Sequence, residues 1–583
     1  MGAPKIAERL FRGYGPLIGF AALFTAMAVF VPSVGQEIRE VTTSASAAGS
    51  TAGSDATDTE VLGETTSSVP GTETTVAATD TTAGGTDTSG GGTTGSTGGG
   101  TTRPGATVPA GGATGGTNTG GTNTGPQALS ACGAHQVPSD PYSPPCIKFS
   151  GANGGATSKG VSADTITVAV RIEAFSSGLV DAISKAAGAD LPSEDEQDIR
   201  RTLDGLVEFF NRTYQFYGRK LKLEIYNGRG DVLKEVLGGG QEGAQNDALK
   251  VGEEIKAFAD VSAITPPYID ALASRKVIAI GAPYLSRDWM RARQPYVWSQ
   301  FIDCSSIAEN STSYYLSRFA GKPAVNAGGS LNGQSRKLGI ITPNSSWYKD
   351  CLRDGINTLK GGGVDPGIVL NYAPDISSMT TQAATLIPQL QNAGITTVGC
   401  FCDPLLLKVL TAKASEQQYF PEWLNTGVAL TDQDIVGQLF GPDQWKRSIG
   451  PSYSGPSQPQ GRGVGYQAYR AVRKDEPSIG VDLIYAQLQI LAIGVQMAGP
   501  NLTPDSFAQG LFRYPTSNGP LGTWKFGDGD YTTSQDSREI YWDPNRKSVQ
   551  TGKNGAYVET EPGKRYAIGG YSGGAGQIPG LTP

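Results

Sequence analysis

Strand-like and helix-like spacings of hydrophobic residues alternate along most of this chain. Ile166–Val170 is β-branched apart from Ala169 and holds no breaker, which predicts a buried strand. From Glu194 to Tyr217 the apolar residues Ile199, Leu203, Leu206, Val207 and Phe210 recur at helical spacing, and Gly218 stops the run. Leu221–Tyr226 then returns as a second strand. The alternation continues through a helix over 243–258, strands over 261–265 and 276–281 with a short helix between them, and a strand over 296–301. A second series follows: helix 307–319, strand 337–341, helix 347–359, strand 367–372, helix 380–392, strand 396–402, helix 405–417 and a short strand at 423–425. Such alternation implies parallel sheets covered on both faces, in two units of similar build. Segments 465–472 and 481–497 read as helices, the second strongly apolar. Beyond Thr503, short pieces rich in Gly and aromatics (LGTWKFGDGDY, SREIYWDP) suggest a closing β-ribbon.

The first 130 residues are different. Lys5, Arg9 and Arg12 precede an uncharged apolar segment, Pro16–Val31, the layout of an export signal or a single membrane anchor. The small-x-small site at Ala45–Ala47 is far downstream, which favours a retained anchor over 16–34 behind a cytoplasmic stretch 1–15. From 35 to 130 the chain is mostly Thr, Gly, Ser and Ala, and no aromatic residue occurs between Phe30 and Tyr142. Too little apolar surface is available there to offset the entropy of ordering, so a disordered linker is expected. A Gly-rich coil of that length spans roughly 50 Å on average, enough to tether the rest outside the cytoplasm.

The net charge of −7 speaks against nucleic acid as a partner. Six cysteines in an exported chain suggest disulfides. Cys132 and Cys146 flank a Pro-rich stretch and are expected to clip an entrance over 131–160. Cys304, Cys351, Cys400 and Cys402 allow three pairings, of which Cys304–Cys351 is preferred. No paired CxxC spacing supports a metal site, and no cofactor motif occurs. His135 is the single histidine and lies in the entrance, which removes histidine triads and HExxH sites.

Several stretches resemble one family. GVSADTITVAV resembles the opening of branched-chain amino-acid-type solute-binding proteins of ABC transporters, and FFNRTYQFYGRKLKLEIYNGRGD is similar to that family's helix–Gly-Arg–strand element. VSAITPPYIDALASRKVIAIGAP looks like its paired strands, RKLGIITPNSSWYKD like the start of its second lobe, and AGPNLTPDSFAQGL like its late helix. The likeness runs from about 160 to 566. It implies the type I periplasmic-binding-protein fold: an α/β chain of two doubly wound Rossmann-like lobes with a closing β-ribbon, within 161–583. Lobe 1 is expected over 161–302 and 430–500, lobe 2 over 303–429 and 501–570. Hinges are expected near 302–305, 427–430 and 498–502.

The resemblance further implies a small-molecule ligand caught by hinge closure, a monomer, and an ABC permease as partner. Ligands meet loops at the carboxyl ends of strands in such lobes. Hydroxyls and helix starts suited to a carboxylate are Ser176, Thr265, Ser286 and Ser345, and Asp403 suits an ammonium. Amino-acid binders of the family usually carry Ser and Thr where this chain has Thr265-Pro-Pro-Tyr268, and Tyr-Gly where it has Trp347-Tyr348-Lys349. With Phe175 and Tyr284, the aromatic area of Tyr268, Trp347 and Tyr348 suits flat, cyclic or apolar ligands. A surface sensor or scavenger without transport and a carboxylate-based hydrolase are the alternatives to transport.

Overall fold

The computed structural model describes residues 132–175, 195–236, 239–459, 461–478 and 480–581. The apolar segment 16–34, the linker 35–130 and Ser176 lie outside the described residues. Two parallel sheets organise the chain. In lobe 1, β1 (Thr165–Arg171), β2 (Lys220–Tyr226), β3 (Ala259–Asp260), β4 (Ile278–Ile280) and β5 (Val297–Trp298) lie in the order β2-β1-β3-β4-β5. In lobe 2, β6 (Leu338–Pro343), β7 (Ile368–Tyr372), β8 (Thr397–Cys400), β9 (Glu422–Leu424) and β10 (Ser448–Ser452) repeat that order as β7-β6-β8-β9-β10. The helices between them are α1 (Glu196–Thr213), α2 (Gln241–Leu249), α3 (Pro266–Ser274), α4 (Cys304–Tyr314), α5 (Lys349–Gly361), α6 (Met379–Asn392) and α7 (Pro404–Glu416). The tail carries α8 (Val464–Arg470), α9 (Val481–Ala498) and α10 (Pro504–Phe512).

Two elements depart from the expected spans for local reasons. Helix α1 ends at Thr213 rather than Tyr217, because Gln496 Oε1 accepts the Gln215 N–H at 2.9 Å and draws the chain out of the helix before Gly218. Strand β3 stops at Asp260 instead of running over 261–265. The Asp260 carboxylate accepts both the backbone N–H and the hydroxyl of Ser262 at 2.7 Å, a local turn that competes with the ladder.

The tail required a larger correction. Strand β10, with Gly450 and Pro451 inside it, carried no strand signal in the sequence, yet it pairs with β9 in lobe 2. The expected ribbon exists as β13 (Asp536–Lys547) and β14 (Asn554–Glu559), but it extends the lobe 2 sheet, with β13 antiparallel to β10. A small hairpin, β11 (Ser517–Gly519) with β12 (Gly522–Trp524), precedes it. Residues 430–453 therefore belong to lobe 2, and 501–531 to lobe 1, the reverse of the expected division. Helix α9 explains why. It is buried along most of its length in the lobe 1 core, and α10 packs closely onto it. A Cβ at Gly510 would stand 2.6 Å from the Ala498 nitrogen, so only glycine permits that approach.

Three crossovers join the lobes, at about 299–303, 453–464 and 531–536. The first crossover overlaps the first segment expected as a hinge, and the other two lie away from 427–430 and 498–502 by the same change of boundary. Ser299 N–H donates to Tyr531 O at 3.1 Å, so the first and third crossovers run side by side. The structure pairs Cys132 with Cys146, Cys304 with Cys351, and Cys400 with Cys402. The clipped entrance is a packed part of lobe 1. Tyr142 is buried there against Trp524, and Asp140 accepts from Tyr485 and Gln489.

Candidate functional site

In a doubly wound sheet a crevice opens outside the carboxyl ends of the strands, where the strand order reverses. That point lies between β1 and β3 in lobe 1, and between β6 and β8 in lobe 2. The two crevices are used differently.

Arg171, the last residue of β1, occupies the first. Its guanidinium donates to both Glu235 carboxylate oxygens at 2.8 Å and to Asp247 at 3.2 Å, and it lies 4.1 Å over the Tyr268 ring. Thr265 donates to the same Glu235. Burial opposes the Arg171 charge, but the hydrogen bonds and charge of Glu235 outweigh it and hold the guanidinium pKa above its ordinary value. The Tyr268 hydroxyl donates to Asp260 at 2.7 Å, and burial pushes that carboxyl up. Thr265 and Tyr268, expected at the ligand, are thus fully buried members of an internal network. Pro266 and Pro267 start α3, and Tyr268 in its first turn is buried. Nothing in the local sequence joined Arg171, Glu235 and Asp247, which are brought together only by the fold.

The second crevice is open. A cavity of about 120 Å³ runs from it into lobe 2. Its floor is one face of the sheet: Leu338, Ile340 and Thr342 alternate along β6, and Gly399 and Phe401 continue it at β8. Its roof is formed by α4 and α5, joined at their starts by the Cys304–Cys351 bond. Asp403, Ser345, Tyr348 and Tyr372 stand near its mouth, with Tyr284 reaching in from lobe 1. Asp403 begins α7 and caps it: one oxygen accepts the N–H groups of Leu405 and Leu406, the other the Tyr372 hydroxyl at 2.7 Å. Burial raises its pKa, and those hydrogen bonds oppose the rise. Burial also pushes the Tyr348 hydroxyl up to about 12.

Lobe 1 meets this mouth through residues in unusual backbone states. Tyr284 has φ +53°, and the facing Ala429 and Leu430 have φ +51° and +62°, all in the left-handed region that non-glycine residues rarely occupy. The backbone of Leu430 and Ala429 hydrogen-bonds the Tyr284 hydroxyl, whose pKa burial raises. Such strain persists only where the surroundings fix it, commonly at binding sites. A second cavity follows the crossovers, lined by Gln300, Tyr453, Asp140 and Tyr142 and sharing Tyr284 as a wall. Both ends of the Gln300 amide there lack a hydrogen-bond partner.

Four of the residues expected from the sequence therefore line one cavity: Tyr284, Ser345, Tyr348 and Asp403. Ser345 also caps the turn that follows it, accepting the Trp347 N–H at 3.3 Å. Ser286 caps the short helix 287–291 through the Trp289 N–H. Trp347 packs on lobe 1 against Trp289, and Phe175 touches the cores of both lobes. The cavity wall within α4 and α5 was missed, since its residues read from the sequence as ordinary core faces.

Two lobes of one strand order, three crossovers and a cavity at their junction settle the architecture. This is the two-lobed, doubly wound α/β build that the sequence resemblance implies. No family model matches the sequence, and no curated protein matches it. Among solved structures, the fold of this chain is similar to that of a solute-binding protein of an ABC transporter from R. palustris in complex with 4-hydroxybenzoate, at 11% identity and TM-score 0.47, covering 70% of this chain and 98% of that one. It is similar to a fatty acid ABC transporter substrate-binding protein from Thermomonospora curvata, at 15% identity and TM-score 0.47, covering 73% and 99%. A third likeness is to an ABC transporter substrate-binding protein from Desulfitobacterium hafniense in complex with Leu, at 14% identity and TM-score 0.42, covering 68% and 99%.

Proposed function

We propose that this chain is an extracytoplasmic solute-binding protein that holds a small molecule at the lobe 2 crevice and closes lobe 1 over it, for delivery to an ABC permease. The observation that carries this reading is the unfilled cavity at the lobe 2 switch point, facing Tyr284 across the junction. The role is binding, not turnover: the carboxylate nearest the cavity, Asp403, is committed to a helix cap and to Tyr372. The apolar N-terminal segment and the Gly/Thr-rich stretch after it would hold the binding domain outside the membrane on a tether.

Binding by closure requires an open state populated without ligand. The test is native mass spectrometry of the purified full chain for a co-purified small molecule, followed by small-angle scattering with and without it. A ligand-dependent decrease in radius of gyration is expected. Ligand that binds with no compaction would remove the closure mechanism, and enzymatic conversion of the bound molecule would replace binding by catalysis.

A further inference from the structure

The lobe 2 cavity has a shape and a chemistry that the solute-binding reading does not by itself require. Leu338 to Thr342 along β6 spans about 13 Å at strand rise, and Cys351 to Leu359 along α5 spans about 12 Å at helix rise, so the space is a slot running the length of both. Small residues line it, Gly355 and Ala308 where α5 faces α4, and Gly399 on the sheet. A Cβ at Gly355 would meet Ala308 of α4 only at 3.4 Å, and one at Gly399 would meet Leu424 at 3.6 Å. A well-packed interior fills such space, and leaving it empty costs stability.

The charge of the slot is as informative as its shape. Among the described residues no Lys, Arg or His lines it, and the one carboxyl among those lining residues, Asp403, already accepts from three donors. An anionic head would be buried without a positive partner, and an ammonium would compete with a helix cap for the same oxygens. Hydroxyl-bearing side chains at the mouth (Ser345, Tyr348, Tyr284) match an uncharged polar group.

We propose, resting on the solute-binding reading above, that the ligand is an uncharged, mainly apolar molecule with an extended tail. The tail lies inside lobe 2 between the α4–α5 pair and the sheet, and only the polar end reaches the junction with lobe 1. Lobe closure then seals the head, while specificity for the tail resides in lobe 2 alone.

The experiment titrates the full chain, kept soluble in amphipol, with three probes sharing one ten-carbon tail: decanol, decanoate and decylammonium. Calorimetry and melting temperature are read at neutral pH. Decanol is expected to bind about tenfold or more tighter than either charged probe, since each of those buries an unpaired or competing charge. Gly355→Leu and, independently, Ala308→Leu fill the slot. Each is expected to abolish decanol binding while leaving the ligand-free melting temperature equal or higher; one folded variant of the two is enough. Equal or tighter binding of decanoate or decylammonium overturns the uncharged head. Decanol binding that survives slot filling in a folded variant overturns the tail site. If a co-purified polar solute compacts the chain and binds the filled variants equally well, the solute-binding reading stands and this proposal falls. If no molecule compacts the chain, the reading beneath it falls as well.

Discussion

Trp289 of lobe 1 and Trp347 of lobe 2 meet edge to face across the junction, with ring centroids 5.9 Å apart and planes at 79°. The Arg293 guanidinium, also of lobe 1, lies 3.6 Å over the Trp289 ring. Trp347 directly precedes Tyr348, which lines the cavity. An aromatic pair of this kind is worth about 0.5–1.5 kcal/mol beyond its area burial. Trp347→Ala is therefore expected to favour the open state and weaken ligand affinity about two- to tenfold, with little change in the stability of either lobe. Scattering on the ligand-free variant checks this: an unchanged radius of gyration together with unchanged affinity would show that the pair does not hold the lobes together.

The filled crevice of lobe 1 makes a separate prediction about stability. Arg171, Glu235 and Asp247 are buried together, and the bidentate Arg171–Glu235 pair carries most of the contact. Removing one partner of a buried pair leaves a charge uncompensated, at a cost of about 3–5 kcal/mol. Glu235→Gln should lower the unfolding free energy by an amount in that range in denaturant titrations. The ligand affinity of the folded fraction should stay unchanged, because the network is closed off from the lobe 2 cavity. A large affinity loss without a stability loss would instead place this crevice at the ligand.

Asp530 stands just before the third crossover. Burial pushes its carboxyl from 3.8 up to about 6; the Gln535 hydrogen bond opposes the rise and the charge of Asp303 adds to it. An acid raised in the folded state keeps a proton that the unfolded chain has already released. Its contribution is full below 3.8 and is lost as pH rises through about 6. Asp530→Asn should raise the melting temperature at neutral pH and flatten its fall across that window. Parallel pH profiles for the two proteins would show that burial of Asp530 does not couple to stability.

Tyr142 ties the entrance segment to lobe 1. Its ring lies 4.3 Å from Trp524, its hydroxyl donates to Gly522 O at 2.8 Å, and the Leu521 N–H donates to that hydroxyl at 2.7 Å. Tyr142→Ala empties a buried aromatic site and strands these groups, with an expected loss of about 3–5 kcal/mol. Calorimetric unfolding of the variant checks it. A loss below about 1 kcal/mol would make the entrance a surface clip rather than part of the core.

The alternation of apolar runs and helical spacings was enough to place most strands and helices of both lobes, because each buries a face whose period is written locally in the residues. Ile166–Val170, the α1 stripe from Ile199 to Phe210 and the Thr503–Pro504 start of α10 are of this kind. Strand β10 and the return of β13 beside it were not legible. Gly450 and Pro451 erase the strand signal, and their pairing depends on partners distant in the chain. The candidate site divides along the same line. Tyr284, Ser345, Tyr348 and Asp403 line the lobe 2 cavity, as loops after strands face the crevice in any doubly wound sheet. Thr265, before α3, and Tyr268, in its first turn, are buried instead, since Arg171 and Glu235 fill lobe 1 from within. By itself the sequence determined the two-unit α/β build, through local periodicity. Only the tertiary structure decided which crevice is open and that it continues between α4, α5 and the sheet, because an unfilled space arises from the mutual fit of distant side chains and not from any one of them.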